Sequence, residues 1–139
     1  MQLSKSDIAS SIERLRDDVD YYGTFGKQFL SNSDVGALLS NPREFRVSRP
    51  DNQAFAKGRY FHQSLLEPEK LKDWEFVDSY SRNTNAYKQA VAESGKEVLM
   101  LNKEKEEMDA LVEIMTSNFE LYEQMYLNGN KFEVPGVKQ

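Results

Sequence analysis

The run from Lys103 to about Leu127 is the longest periodic segment of the chain, and it constrains the fold more than any other. Its apolar side chains are Met108, Leu111, Val112, Met115, Phe119, Tyr122, Met125 and Tyr126, with charges between them. That spacing predicts one amphipathic helix, ended by the cap and turn signal Asn128-Gly129-Asn130. Glu75–Asp78 and Glu97–Leu101 each have the composition of a short strand. Between them, Asn83 or Thr84 caps a helix to about Glu93 that Ser94-Gly95 stops.

The N-terminal half also reads as helical. A helix capped at Ser6 or Asp7 is expected to run to about Asp20, with Ile8, Ile12, Leu15 and Val19 on one face and Gly23 and Gly26 breaking it. Ser33 is the expected cap of a second helix that carries Val35, Leu38 and Leu39. Asn41-Pro42 ends it and starts a short turn through Phe45. After the polar loop VSRPDNQ, a helix from Ala54 to about Leu66 carries Phe55, Phe61, Leu65 and Leu66. Pro68 ends it, and one further turn follows to Trp74. Lys131–Val134 is expected to begin a last strand, which Pro135-Gly136 interrupts. The expected fold is therefore α+β, mostly α, with a few short strands. It forms one domain over residues 1–139, in which 1–28 are a leading helix and linker.

Composition excludes several chemistries. The chain has no cysteine, which rules out disulfides, thiolate metal sites and a cysteine nucleophile. His62 is the single histidine, which rules out a multi-histidine centre. A net charge of −5 argues against a simple DNA-binding module, whose affinity rests on a basic surplus, but is compatible with a nuclease that holds metal through carboxylates. No apolar run approaches the roughly 20 residues of a membrane span, and the first residues lack a signal-peptide core, so a cytoplasmic protein without membrane partners is expected. Glu104, Glu106 and Glu107, set among lysines, read as a solvated helix face. Met108, Met115 and Met125 read as core.

One constellation stands out, Gly58-Arg59-Tyr60-Phe61-His62-Gln63-Ser64-Leu65-Leu66-Glu67-Pro68. Gly58 and His62 are four apart and share a helix face. Two readings are open on the residues alone. Gly58 marks a helix crossing and His62 hydrogen-bonds in the core, or the glycine lets a backbone or ligand approach a functional histidine.

The segment FLSNSDVGALLSNPREF, the loop after it and FAKGRYFHQSLLEPEKL together resemble the N-terminal signature of phage and prophage exonucleases similar to exonuclease VIII. These belong to the RecB-like branch of the PD-(D/E)XK nuclease superfamily. The run SRNTNAYKQAVAESGKEVLMLNKEKEEMDALVEIM is similar to the same family, and the likeness covers roughly residues 29–134. The G-x-x-x-H-x-x-x-L-x-x-P element is its most specific part.

The resemblance implies the helical front of a PD-(D/E)XK fold with an incomplete core sheet. It implies His62 as a ligand of Mg²⁺ or Mn²⁺, with Glu133 as an acidic residue at the start of the core sheet. It implies Arg82 and Lys88 as contacts to DNA phosphates and Gly58 as a structural residue at the site. The family's core aspartate, its Glu-x-Lys strand and its Q-x-x-x-Y helix have no counterpart among these residues. Glu67-Pro68-Glu69-Lys70 and Glu104-Lys105 fall on helical segments and are not expected to replace them. The expected function is thus the N-terminal segment of a divalent-metal-dependent DNA exonuclease, a fragment or one half of a split enzyme. Its expected partners are DNA and a C-terminal nuclease half or a recombination protein. The alternatives are a noncatalytic interaction domain derived from the same front half and, more remotely, a structural phage protein.

Overall fold

In the computed structural model, residues 4–137 are described, and the chain divides into two compact units. The first comprises residues up to Ser48 together with those from Glu133 onward, and the second is Arg49–Phe132. The fold is α+β and mostly α, 63% helical, with two short strands among the described residues.

The first unit is built from short, individually capped helices. Helix α1 (Lys5–Arg14) begins earlier than its periodicity predicts, because Ser4 and Asp7 form a reciprocal capping box. The expected single helix to Asp20 is interrupted. Asp17 leaves helical geometry and its carboxylate accepts the Val19 N–H at 2.7 Å, which starts α2 (Asp18–Tyr22). Helix α3 (Asn32–Ser40) is capped by Ser31 with Asp34, two residues before the expected Ser33. Arg46, at a positive φ of 54°, ties the following loop back to α3 by donating to the Phe29 carbonyl at 2.9 Å and pairing with Asp34. Leu15 is the buried hydrophobic of this unit among the described residues, so capping and local hydrogen bonds carry much of its structure. The expected C-terminal strand does not form. Glu133 has a φ of 51°, in the left-handed region outside regular β geometry.

The second unit has a layered core. Asn52 caps α4 (Gln53–Leu66), and a 3₁₀ turn, Pro68–Asp73, follows. Strand β1 (Phe76–Val77), helix α5 (Asn85–Ser94) and strand β2 (Met100–Leu101) form a β-α-β unit, whose strands pair in parallel with Phe76 opposite Met100 and Val77 opposite Leu101. Alternation along the strands divides the core. Val77, Leu99 and Leu101 pack with Tyr87, Ala90 and Val91 of α5. Met100, Phe76 and Val98 pack on the other face with Ala56 and Tyr60 of α4, Trp74 and Met108. Both faces of the small parallel sheet are thus covered, as parallel strands require.

The expected helix over 103–127 is divided as well. Helix α6 (Asn102–Ser117) stops at Asn118, whose ψ of 109° is extended and whose side chain accepts from the Leu121 N–H at 3.2 Å. Helix α7 (Phe119–Tyr122) then runs into a π turn over Glu123–Leu127. The Tyr126 hydroxyl donates to the Leu65 carbonyl at 2.7 Å, fastening that turn to the end of α4. No helix among the described residues is long and apolar enough to cross a membrane.

Candidate functional site

Helix α4 supplies the site's main structural frame. Its buried face is Ala56, Tyr60 and Leu65. His62 lies off that face and is exposed, so the reading of it as an apolar-core histidine is excluded. Pro68 then shapes the neighbourhood. It lacks an N–H and crowds the preceding residue, so Glu67 leaves the helix at φ −141° and ψ 56°. In an uninterrupted helix, residues 62 and 67 would point in different directions. With Glu67 unwound, a nitrogen of His62 and a carboxylate oxygen of Glu67 come within 4.8 Å. Lys70 competes for that carboxylate at 2.8 Å. Glu67 was the unrecognised member of the His62 neighbourhood, and the signal for it was the Glu-Pro dipeptide at the helix end.

The other expected site residues have their own local settings. Gly58 is exposed, one turn before His62, and a Cβ built there meets no atom within 4 Å among the described residues. Among the described residues it is neither a helix crossing nor a close approach of another backbone, which corrects the helix-crossing reading. Glu133 is exposed in the first unit and lies on no strand. Lys88 is exposed on α5, beside the buried Tyr87.

Arg82 has a different setting. Its Nη1 and Nη2 donate to Glu104 at 2.8 and 2.6 Å, and Nη2 also reaches the Leu99 carbonyl at 3.2 Å. Glu104 is 5% exposed, a correction to its reading as part of a solvated face. Chain geometry explains the burial. Helix α6 begins directly after β2, so position 104 lies in the first turn, over the end of a buried strand. Its carboxylate accepts the Leu101 N–H at 3.0 Å and Gln53 Nε2 at 2.6 Å in addition to Arg82. Burial pushes this carboxyl up, but the Arg82 guanidinium and the Leu101 N–H outweigh it and hold it below its ordinary value. For the Arg82 guanidinium, the bond to Glu104 is the largest influence and stabilises its charge.

An open cleft of about 410 Å³ lies over this pair, at the carboxyl ends of β1 and β2. Lys57, Tyr80, Lys103 and Glu107 line it with Arg82 and Glu104. Further along the same face of α4, Tyr60 donates to Asp109 at 2.7 Å, and Lys105 binds the second oxygen of Asp109 at 2.5 Å. Neither acidic-x-Lys candidate lies on a strand: Glu67 follows the end of α4 and pairs with Lys70, and Glu104 on α6 pairs with Arg82 while Lys105 turns to Asp109. No protein-family model, curated protein or solved structure matches the chain.

Proposed function

We propose that this chain contributes the histidine-bearing helix of a divalent-metal-dependent DNA nuclease of the PD-(D/E)XK type. The observation that carries the reading is the exposure of His62 on α4 with the Glu67 carboxylate unwound beside it. One imidazole and one carboxylate suit Mn²⁺ better than Mg²⁺, which prefers oxygen ligands throughout, and together they make a partial shell. His62 and Glu67 would hold one side of the ion, which would supply an activated water when bound. The remaining ligands would come from carboxylates outside the Arg49–Phe132 unit, on a polypeptide that carries an aspartate and a Glu-x-Lys strand. Arg82 acts in this reading by ordering the loop after β1, since its guanidinium is committed to Glu104. Lys88 is the more available contact for a DNA phosphate.

The test uses end-labelled linear duplex DNA with Mg²⁺ or Mn²⁺. The chain alone is expected to give no digestion, because phosphodiester hydrolysis calls for more convergent carboxylates than this helix brings. Adding a polypeptide with the aspartate and Glu-x-Lys strand is expected to restore digestion, and His62→Ala to remove it without preventing association. Chelator-sensitive digestion by the chain alone that survives His62→Ala would refute the proposal.

A second reading, a noncatalytic docking domain, has its own support. The parallel sheet has two strands among the described residues, and the outer edge of such a pair is a template for a further strand. The docking edge in this reading is that of β1 or β2. A partner that binds at this edge and is unaffected by His62→Ala, with no DNA digestion in the complex, is the outcome this reading expects.

A further inference from the structure

The cleft at the carboxyl ends of β1 and β2 has a chemistry that the His62 helix does not use. In open sheets with parallel strands, the crevice outside the carboxyl ends of the strands is where ligands bind, because the loops that follow diverge there. Here the loop after β1 brings Tyr80 and Arg82, and the start of α6 brings Lys103. Lys57 of α4 closes a third side. Tyr80 is 93% exposed, so its ring faces solvent at the rim of a polar cleft.

An exposed aromatic ring beside lysines is the combination that holds a nucleotide, with the base stacked on the ring and the phosphoryl group beside the cations. The acidic side chains in the cleft limit where that group can sit. Glu104 is neutralised by Arg82 below, so the floor presents a closed ion pair. Glu107 pairs with Lys57 at 3.0 Å, but Glu107 is 47% exposed, and an ion pair of that kind is weak enough for a phosphoryl group to displace. Lys103 makes no ion pair among the described residues and is the cation available from the outset. The cleft volume of about 410 Å³ lies toward the lower end of the range for small-molecule sites, which suits one nucleotide unit.

We infer that this cleft binds a single nucleotide unit, its base on Tyr80 and its phosphoryl group between Lys103 and Lys57. The unit can come from a free nucleoside monophosphate or from the end of a single strand. The inference stands on residues separate from His62 and Glu67, and its test is done in chelator, so its failure leaves the metal-helix proposal untouched.

The experiment is a titration of isotope-labelled full chain followed by amide resonances, in EDTA and at low salt. The probes are deoxyadenosine monophosphate, deoxyadenosine, inorganic phosphate and a short single-stranded oligonucleotide. The expected result is saturable shifts at residues 79–82, Lys57 and Lys103 with the monophosphate or the oligonucleotide, and much weaker ones with deoxyadenosine or phosphate alone. Whichever of the two active probes binds more tightly identifies the source. Tyr80→Ala, at an exposed position that the fold does not need, is expected to weaken binding by about fivefold or more. Lys103→Gln is expected to weaken the monophosphate and leave deoxyadenosine unchanged. Absence of saturable shifts at millimolar monophosphate and oligonucleotide overturns the inference. So does binding that is indifferent to both substitutions, or inorganic phosphate binding as tightly as the nucleotide.

Discussion

Removing the Glu104 carboxylate should cost the Arg49–Phe132 unit more stability than any other single change to a charged side chain in it. Glu104→Ala takes an acceptor from four donors: the Gln53 amide, the buried Leu101 N–H and two nitrogens of Arg82, of which Nη2 keeps the Leu99 carbonyl. Breaking a buried ion pair from one side costs about 3–5 kcal/mol. The Arg82 side chain keeps 24% of its surface in water and can recover some hydration, so a loss of about 2–4 kcal/mol is expected. Glu104→Gln retains one acceptor but turns an amide donor toward Arg82, and about 2 kcal/mol is expected. The double variant Arg82→Met/Glu104→Leu removes both charges together and is expected to lie within about 1 kcal/mol of the parent.

The assay is urea unfolding followed by Trp74 fluorescence. Trp74 is the single tryptophan and packs against Tyr60 and Phe76, so it reports this unit alone. The pH dependence has a definite sign. The folded Glu104 carboxyl lies below its ordinary value of 4.5, so its contribution is fully present above pH 4.5 and is lost as pH falls through the lower folded value. A Glu104→Ala loss under about 1 kcal/mol, or an unchanged acid midpoint in that variant, would show that this carboxylate does not hold the unit together.

Gly58→Ala should stabilise the unit by about 0.5–1 kcal/mol, since the position is mid-helix, exposed and open to a Cβ; thermal unfolding reads it. Gly95→Ala should destabilise by about 1 kcal/mol, because Gly95 ends α5 at a φ of +68°, seen as a lower urea midpoint. Tyr60→Phe keeps the edge-to-face ring contacts but deletes the 2.7 Å bond to Asp109, and a loss of about 1 kcal/mol is expected by the same unfolding assay.

Local signals were legible in the sequence where their partners are also local. Thr84 and Gly95 bound α5 as a capping residue and a left-handed glycine should, and Pro68 ends α4. Local reading failed where a polar residue was hidden inside a favourable period. Met115, Phe119 and Tyr122 keep helical spacing across Asn118, yet that side chain caps a new helix, and Phe119 remains 68% exposed. Long-range partners were the second cause. Tyr60, beside the expected core residue Phe61, is the buried one of the two, because Asp109, 49 positions later, satisfies its hydroxyl. Glu104 lies in a run of charges that looks solvated, and its burial follows from Arg82 and Gln53, 22 and 51 positions away. At the candidate site, the exposure of His62 on a helix follows from the α4 pattern, whereas the approach of Glu67 depends on how Pro68 unwinds one residue.

The claim that α4 presents His62 to a divalent ion is tested most directly by the imidazole itself. The chain has one histidine, so its ring protons give a single assignable set of proton resonances. In a Mn²⁺ titration these signals are expected to broaden before the amides of the acidic α6 surface, and Glu67→Gln is expected to move the broadening to higher Mn²⁺. A His62 signal that stays sharp while the α6 amides broaden would contradict it.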